Sequence, residues 1–255
     1  MRRYTSVTLL PVGFPLVEQG EDLNELVDRT LRRRKLSLRN GDVLAVASKI
    51  VSSCENRILR LDTVRVSAKA VRLSEQWKMD RHLASIVVQE ADYILGGILG
   101  FLLTIKDGIL TANAGVDVKN SPRGTATLWP KNSDKSASRL RKHLIRKGVT
   151  CLGVEIVDSR VTPLRLGTIG LAIGASGFEP VHDHRFKPDL YGRKVRVTQT
   201  NIADDLASAA HMLMGETREQ IGAVVIRNSP VIFSSSVNSS RAILESRRCL
   251  IASNF

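Results

Sequence analysis

Three acids in this chain sit where carboxylates can do chemistry. Asp158 ends the apolar run Val154-Glu155-Ile156-Val157, Asp117 lies in the loop Asn113-Ala114-Gly115-Val116-Asp117-Val118-Lys119-Asn120, and Glu216 follows Met214-Gly215. An acid at the end of a buried strand is held at a sheet edge, where open α/β sheets bind ligands. Acids delivered from distant segments suit one hard cation, which takes oxygen ligands. A plainer reading stands beside this one: taken alone, Asp117 is a turn carboxylate. Ser48-Lys49, just after an apolar run, reads either as a phosphate-holding pair or as a strand end with a solvated lysine. The glycines of 170–177 allow close backbone approach, either to a ligand or to a packed neighbour.

The elements that must position these residues alternate between strand and helix. Strands are expected over 5–12, 42–47, 150–157, 195–198 and 223–227, the last as a final core strand, with a hairpin over 101–105 and 108–112. Helices are expected over 21–35, 80–93, 134–147 (capped by Asp134) and 202–214 (stopped by Gly215). Residues 121–135 read as a polar connection and 159–169 as irregular. From Ser234 the chain turns serine-rich and then helical. Neither an internal repeat nor a linker divides residues 1–255, so a single mixed α/β domain is expected.

Composition narrows the partners. The chain has 255 residues, 43% of them hydrophobic, enough for a sizeable core. No apolar run approaches the roughly 18 residues of a membrane span, and Met1-Arg2-Arg3-Tyr4 leads into a strand-like segment rather than a signal-peptide core. Three isolated cysteines, Cys54, Cys151 and Cys249, argue against zinc or disulfides and make the cytoplasm the simplest setting. The net charge of +13 favours polyanionic partners. Aromatics are only 4%, which weighs against a stacking surface for nucleic acid. The basic residues are scattered over helix faces, and a phosphorylated small molecule suits them better than a nucleic acid. There is no P-loop, no Gly-x-Gly-x-x-Gly and no Gly-x-Ser-x-Gly elbow. His182 and His184 lack a third ligand at metal spacing and read as surface residues.

Eight short pieces together carry a resemblance. They are Gly13-Phe14-Pro15-Leu16-Val17, Ser48-Lys49-Ile50-Val51-Ser52, Glu55-x-Arg57, Asn113-Ala114-Gly115-Val116-Asp117-x-x-Asn120, Asp158-Ser159, Ala172-Ile173-Gly174-x-x-Gly177, Asp189-x-x-Gly192-Arg193, and Val197-Thr198 through Ala203-Asp204 to Met214-Gly215-Glu216. In this order and spacing the chain resembles the coenzyme F-420-0:L-glutamate ligase family of γ-glutamyl ligases over roughly residues 7–230. The resemblance implies a two-lobed α/β fold and an intertwined homodimer. It implies GTP as co-substrate, Mg²⁺ or Mn²⁺ at one or two sites, and K⁺ as an accessory ion. L-glutamate would be joined by an amide to a deazaflavin coenzyme precursor through an acyl phosphate. Carried over, Asp117, Asp158, Ser159 and Glu216 hold metal. Phe14, Pro15, Leu16, Val17, Ser48, Lys49, Ser53, Asn120, Met214, Gly215, Glu216, Thr217, Arg218, Glu219, Gln220 and Ile221 hold nucleotide. No general base is named by the sequence. The chain departs from the family pattern at Ser53, where a lysine is usual, and at Val161-Thr162, where Gly-Arg is usual. These departures keep a second reading open: a divergent relative that binds nucleotide and metal without ligating, or with another acceptor.

Overall fold

The computed structural model describes residues 6–252. In chain order the elements are β1 (Thr8–Gly13), α1 (Leu23–Arg33), β2 (Asp42–Ala47), α2 (Ser48–Cys54), β3 (Ile58–Arg60), α3 (Ala68–Trp77), α4 (Arg81–Glu90), β4 (Tyr93–Ile98), β5 (Phe101–Lys106), β6 (Ile109–Ala112), β7 (Thr125–Thr127), α5 (Ser133–Ile145), β8 (Leu152–Val161), β9 (Thr168–Phe178), β10 (Val181–Asp183), β11 (Gln199–Asn201), α6 (Ile202–Met214), β12 (Ile221–Arg227) and β13 (Phe233–Asn238). This is the mixed α/β architecture expected.

A six-stranded sheet in the order β1-β12-β2-β8-β9-β13 carries the core. Only β2 and β8 run parallel within it. Their middles, Val43–Ala47 and Leu152–Val157, are apolar apart from Glu155, because helices cover both faces. On one face Leu44, Val46, Val154 and Ile156 meet Leu26 and Leu31 of α1, Val51 of α2 and Leu140 and Leu144 of α5. On the other, Val43, Ala45, Val157 and Ala175 meet Ile202, Leu206, Ala207 and Ala210 of α6. A third cluster, with Ile86, Val87, Leu102 and Leu128, joins α4 to the β4-β5-β6 sheet and to the segment after β7.

Local chemistry sets the ends of the helices. Asp22 opens α1 by accepting the Glu25 N–H at 2.9 Å. Asp28, on the buried side of α1, takes His143 at 2.7 Å and also Lys147, tying α1 to α5. Gly215 stops α6 at φ 71°, as expected.

Several expectations need correction. Asn132, not Asp134, caps α5, accepting from Lys135 N at 2.9 Å. Asp134 instead accepts the backbone N–H groups of Ala175 and Ser239, pinning β9 and the segment after β13. The strand expected at 195–198 is absent; β11 begins at Gln199 and pairs with β10. Residues 159–169 are irregular only between β8 and β9, since β8 continues through Asp158 to Val161. Helix α4 ends at Glu90, and β4 starts at Tyr93. The serine-rich stretch forms β13, so β12 is not the last strand, and among the described residues only short 3₁₀ turns follow it. Of the two readings of the 170–177 glycines, close packing is the one seen: they lie in β9 against neighbouring elements. A Cβ at Gly170 would stand 2.2 Å from Ala207 O of α6, and one at Gly174 2.4 Å from Ser133 C of α5. Residue 5 of the first expected strand, and Met1-Arg2-Arg3-Tyr4, lie outside the described residues.

Candidate active site

The parallel pair builds the floor of the site. Ala47 is in register with Val157, so the next residues, Ser48 opening α2 and Asp158 still within β8, stand side by side. Ser48 Oγ donates to Asp158 Oδ1 at 3.1 Å, and Trp129 Nε1 donates to Asp158 Oδ2. Burial pushes the Asp158 carboxyl up, opposed by Trp129, the Ser159 N–H and Ser48. Ligand sites at the carboxyl ends of parallel strands follow from this geometry.

Asp117 arrives on the loop after β6. Its backbone pairs with Thr127 in both directions, at 2.9 and 2.8 Å. The loop turns through positive φ at Asn113, Ala114 and Gly115. Gly115 is required there, because a Cβ would stand 2.2 Å from the Trp129 ring. Asp117 Oδ2 accepts from Lys49 Nζ, which also donates to Lys119 O at 2.7 Å.

Glu216 follows the α6 stop. It accepts from Lys119 Nζ, from Thr168 Oγ1 at 2.8 Å and pairs with His211 Nε2 at 2.9 Å. Burial opposes ionisation of Glu216, but these partners prevail and hold its carboxyl down at about 2. Asn120 Nδ2 donates to Thr217 O at 2.8 Å, and Phe14 N to Gln220 O at 2.8 Å, closing the two sides together.

Ser48, Lys49, Asp117, Lys119, Asp158, His211 and Glu216 line one cavity of about 670 Å³, with Trp129 and Thr168 behind it. The structure brings together Phe14, Pro15, Leu16, Val17, Ser48, Lys49, Ser53, Asp117, Asn120, Asp158, Ser159, Met214, Gly215, Glu216, Thr217, Arg218, Gln220 and Ile221. Glu219 is the exception: its carboxylate turns onto Thr217 N at 2.7 Å and Thr217 Oγ1 at 3.0 Å. The three acids share the cavity without touching, and among the described residues no three Asp, Glu, His or Cys side chains cluster as a ligand set. Lysines stand on two of them.

Sequence reasoning missed Lys119, His211 and Trp129. Lys119 was quoted only as part of its loop, although a lysine two residues from a candidate acid is a signal. Trp129 lay in a stretch read as a polar connection, yet a buried tryptophan normally finds an acceptor for its N–H. Arg160, the residue before the departure at Val161-Thr162, faces away from the cavity. It turns to Asp204 at 3.7 Å, and neither it nor Arg165 lines the cavity.

The fold and cavity thus define an α/β protein in which two lysine–carboxylate pairs, Lys49 with Asp117 and Lys119 with Glu216, face Asp158 beside the parallel strands, a site suited to phosphates and cations together. The family model for F420-0:γ-glutamyl ligase matches residues 11–228. The chain is 37% identical over 212 residues to the coenzyme F420:L-glutamate ligase of Methanopyrus kandleri, covering 83% of this chain and 82% of the relative. It is 34% identical over 248 residues to the enzyme of that name from Archaeoglobus fulgidus, covering 96% and 98%. This chain belongs to the F420-0:γ-glutamyl ligase family. No helix among the described residues is long and apolar enough to cross a membrane.

Proposed function

We propose that this protein uses GTP and a divalent cation to join L-glutamate by an amide bond to the carboxylate end of the deazaflavin coenzyme F-420 precursor, with a further glutamate added through a γ-glutamyl bond. One observation carries the reading. In a member of this family, one cavity gathers the acids, lysines and loops that such a reaction uses. The relatives' names give the class of acceptor.

A carboxylate resists attack by an amine, so it must first be activated. A substrate carboxylate oxygen attacks the γ-phosphorus of GTP, GDP leaves, and an acyl phosphate forms. The glutamate amine then attacks the acyl carbon, and phosphate departs. Lys49 and Lys119 are the ammonium groups at hand for the phosphates. In this reading they exchange their present carboxylate partners for phosphate oxygens. Phe14, Leu16, Val17 and Ile221 give the cavity an apolar side for the base.

The donor set suits Mg²⁺ or Mn²⁺: Asp117, Asp158, Glu216 and the Ser159 hydroxyl offer oxygen alone. Asp158 is half-buried, and desolvation pushes its carboxyl up, so its charge is costly there until a cation offsets it. When bound, the cation neutralises charge developing on the transferring phosphoryl group. K⁺ is the accessory ion of the same reading.

A second copy of the chain belongs to this proposal. Leu164, Leu166, Phe186, Leu190, Tyr191 and Val197 are all exposed, and a homodimer would cover them. The non-ligating alternative has one observation in its favour: Ser53 Oγ is spent on Lys49 O at 2.8 Å and adds no charge. Lys119 answers it by supplying a second ammonium.

Incubation with GTP, Mn²⁺, L-glutamate and the unglutamylated coenzyme is expected to give glutamate-sized mass increments, lost in Asp158→Ala. GTP binding without an increment would move the protein to the alternative.

A further inference from the structure

Glu55-x-Arg57 is a motif to which the reaction gives no task, and the structure supplies one. Arg57 Nε donates to Trp129 O at 2.9 Å, and Leu128 N donates to Arg57 O at 2.9 Å. The guanidinium is itself anchored, with its second arm on Glu90 Oε2 at 2.7 Å. Glu55 secures the residues that follow: it accepts Lys131 N at 2.9 Å and the Ser136 hydroxyl. Trp129 is therefore fixed from both sides in the chain, and its side chain is 3% exposed.

The indole has no freedom either. It lies against Gly115, where any side chain would overlap the ring. Its N–H reaches Asp158 Oδ2. Two residues earlier the same segment pairs its backbone with Asp117. One short run, Thr127 to Trp129, thus touches both the backbone of one candidate metal acid and the carboxylate of another.

The geometry points to Trp129 as a positioning residue for Asp158, held in place by Arg57 and Glu55. The indole N–H and the Ser48 hydroxyl each take one carboxylate oxygen, which fixes the plane of the carboxylate and leaves a second lone pair on each oxygen. Such outer partners orient ligands that they never replace. The effect on metal binding rests on the metal reading above; the contact itself does not.

The test uses the full chain, first without metal. In Trp77→Phe, Trp129 is the one remaining tryptophan of two. Its indole N–H resonance is expected downfield, slow to exchange with water, and displaced by Asp158→Asn. Mn²⁺ is then added with GTP, and free Mn²⁺ is read by electron spin resonance. Trp129→Phe, which keeps an aromatic ring and removes the donor, is expected to lower Mn²⁺ affinity about 10–100-fold, while Trp77→Phe leaves it unchanged. An indole N–H that exchanges freely or ignores Asp158→Asn overturns the proposal. So does a folded Trp129→Phe protein that holds Mn²⁺ as the unsubstituted chain does. If the unsubstituted chain holds no Mn²⁺, the metal reading is wrong, and the metal-free resonance alone decides the role of Trp129.

Discussion

Glu155 shows what one side chain on a site strand can impose on the whole chain. It is fully buried, flanked in register by Ala45 and Ala175, and neither carboxylate oxygen has a partner. Burial, reinforced by Asp204, raises its pKa well above the ordinary carboxylate value. A raised folded pKa contributes stability fully below the unfolded value of about 4.3 and loses it as pH rises through the folded one. Glu155→Gln is expected to remove that loss. The variant's advantage in urea unfolding should grow by about 1.4 kcal/mol per pH unit over this window; a constant difference would mean that Glu155 ionises normally. At this scale the sequence was readable where an acid ended an apolar run, as at Asp158. It was unreadable where a contact joins distant positions: nothing near Trp129 in the chain announces Asp158.

At the scale of elements, the close approach of α6 to β9 is set by Gly170. Gly170→Ala would drive a methyl into the Ala207 carbonyl, and overpacking of this kind costs about 1–3 kcal/mol. A lower thermal midpoint is expected. Gly96→Ala is the control, because a Cβ there meets nothing within 4 Å. An equal midpoint in both variants would show that α6 can shift freely. Long amphipathic helices such as α1 were legible because their apolar stripe repeats several times. Helix α2, with seven residues, completes too few turns to show a period, and its serines and lysine read as a strand end. The glycines of β9 were legible as close contacts, but sequence does not say with what. The segment 195–198 does meet 184–187, through Phe186 N to Val195 O at 2.8 Å and Val195 N to Lys187 O at 2.9 Å, but these contacts stay too few for a continuous strand.

For the whole molecule, the net charge of +13 and the exposed apolar side chains between 164 and 197 call for different partners. The charge suits phosphorylated substrates. The apolar residues suit another copy of the chain. Sedimentation velocity is expected to give a dimer, and Leu164→Glu combined with Leu166→Glu a monomer. A monomeric unsubstituted chain would remove the dimer from the proposal. This surface was not legible beforehand, since exposed and core leucines look alike in a sequence.

The strand order has a consequence for how the protein is made. Thr8 pairs with Arg227, and β2 lies between β12 and β8. Strand β1 thus waits for β12, made more than 200 residues later. At roughly 5–20 residues per second, that wait lasts on the order of ten to forty seconds. Throughout it β1 has an unsatisfied edge, and the pocket lacks Glu216 and its loop. A nascent chain therefore carries that open edge for the whole interval, and the cavity has its full lining only once residues 214–222 have been made.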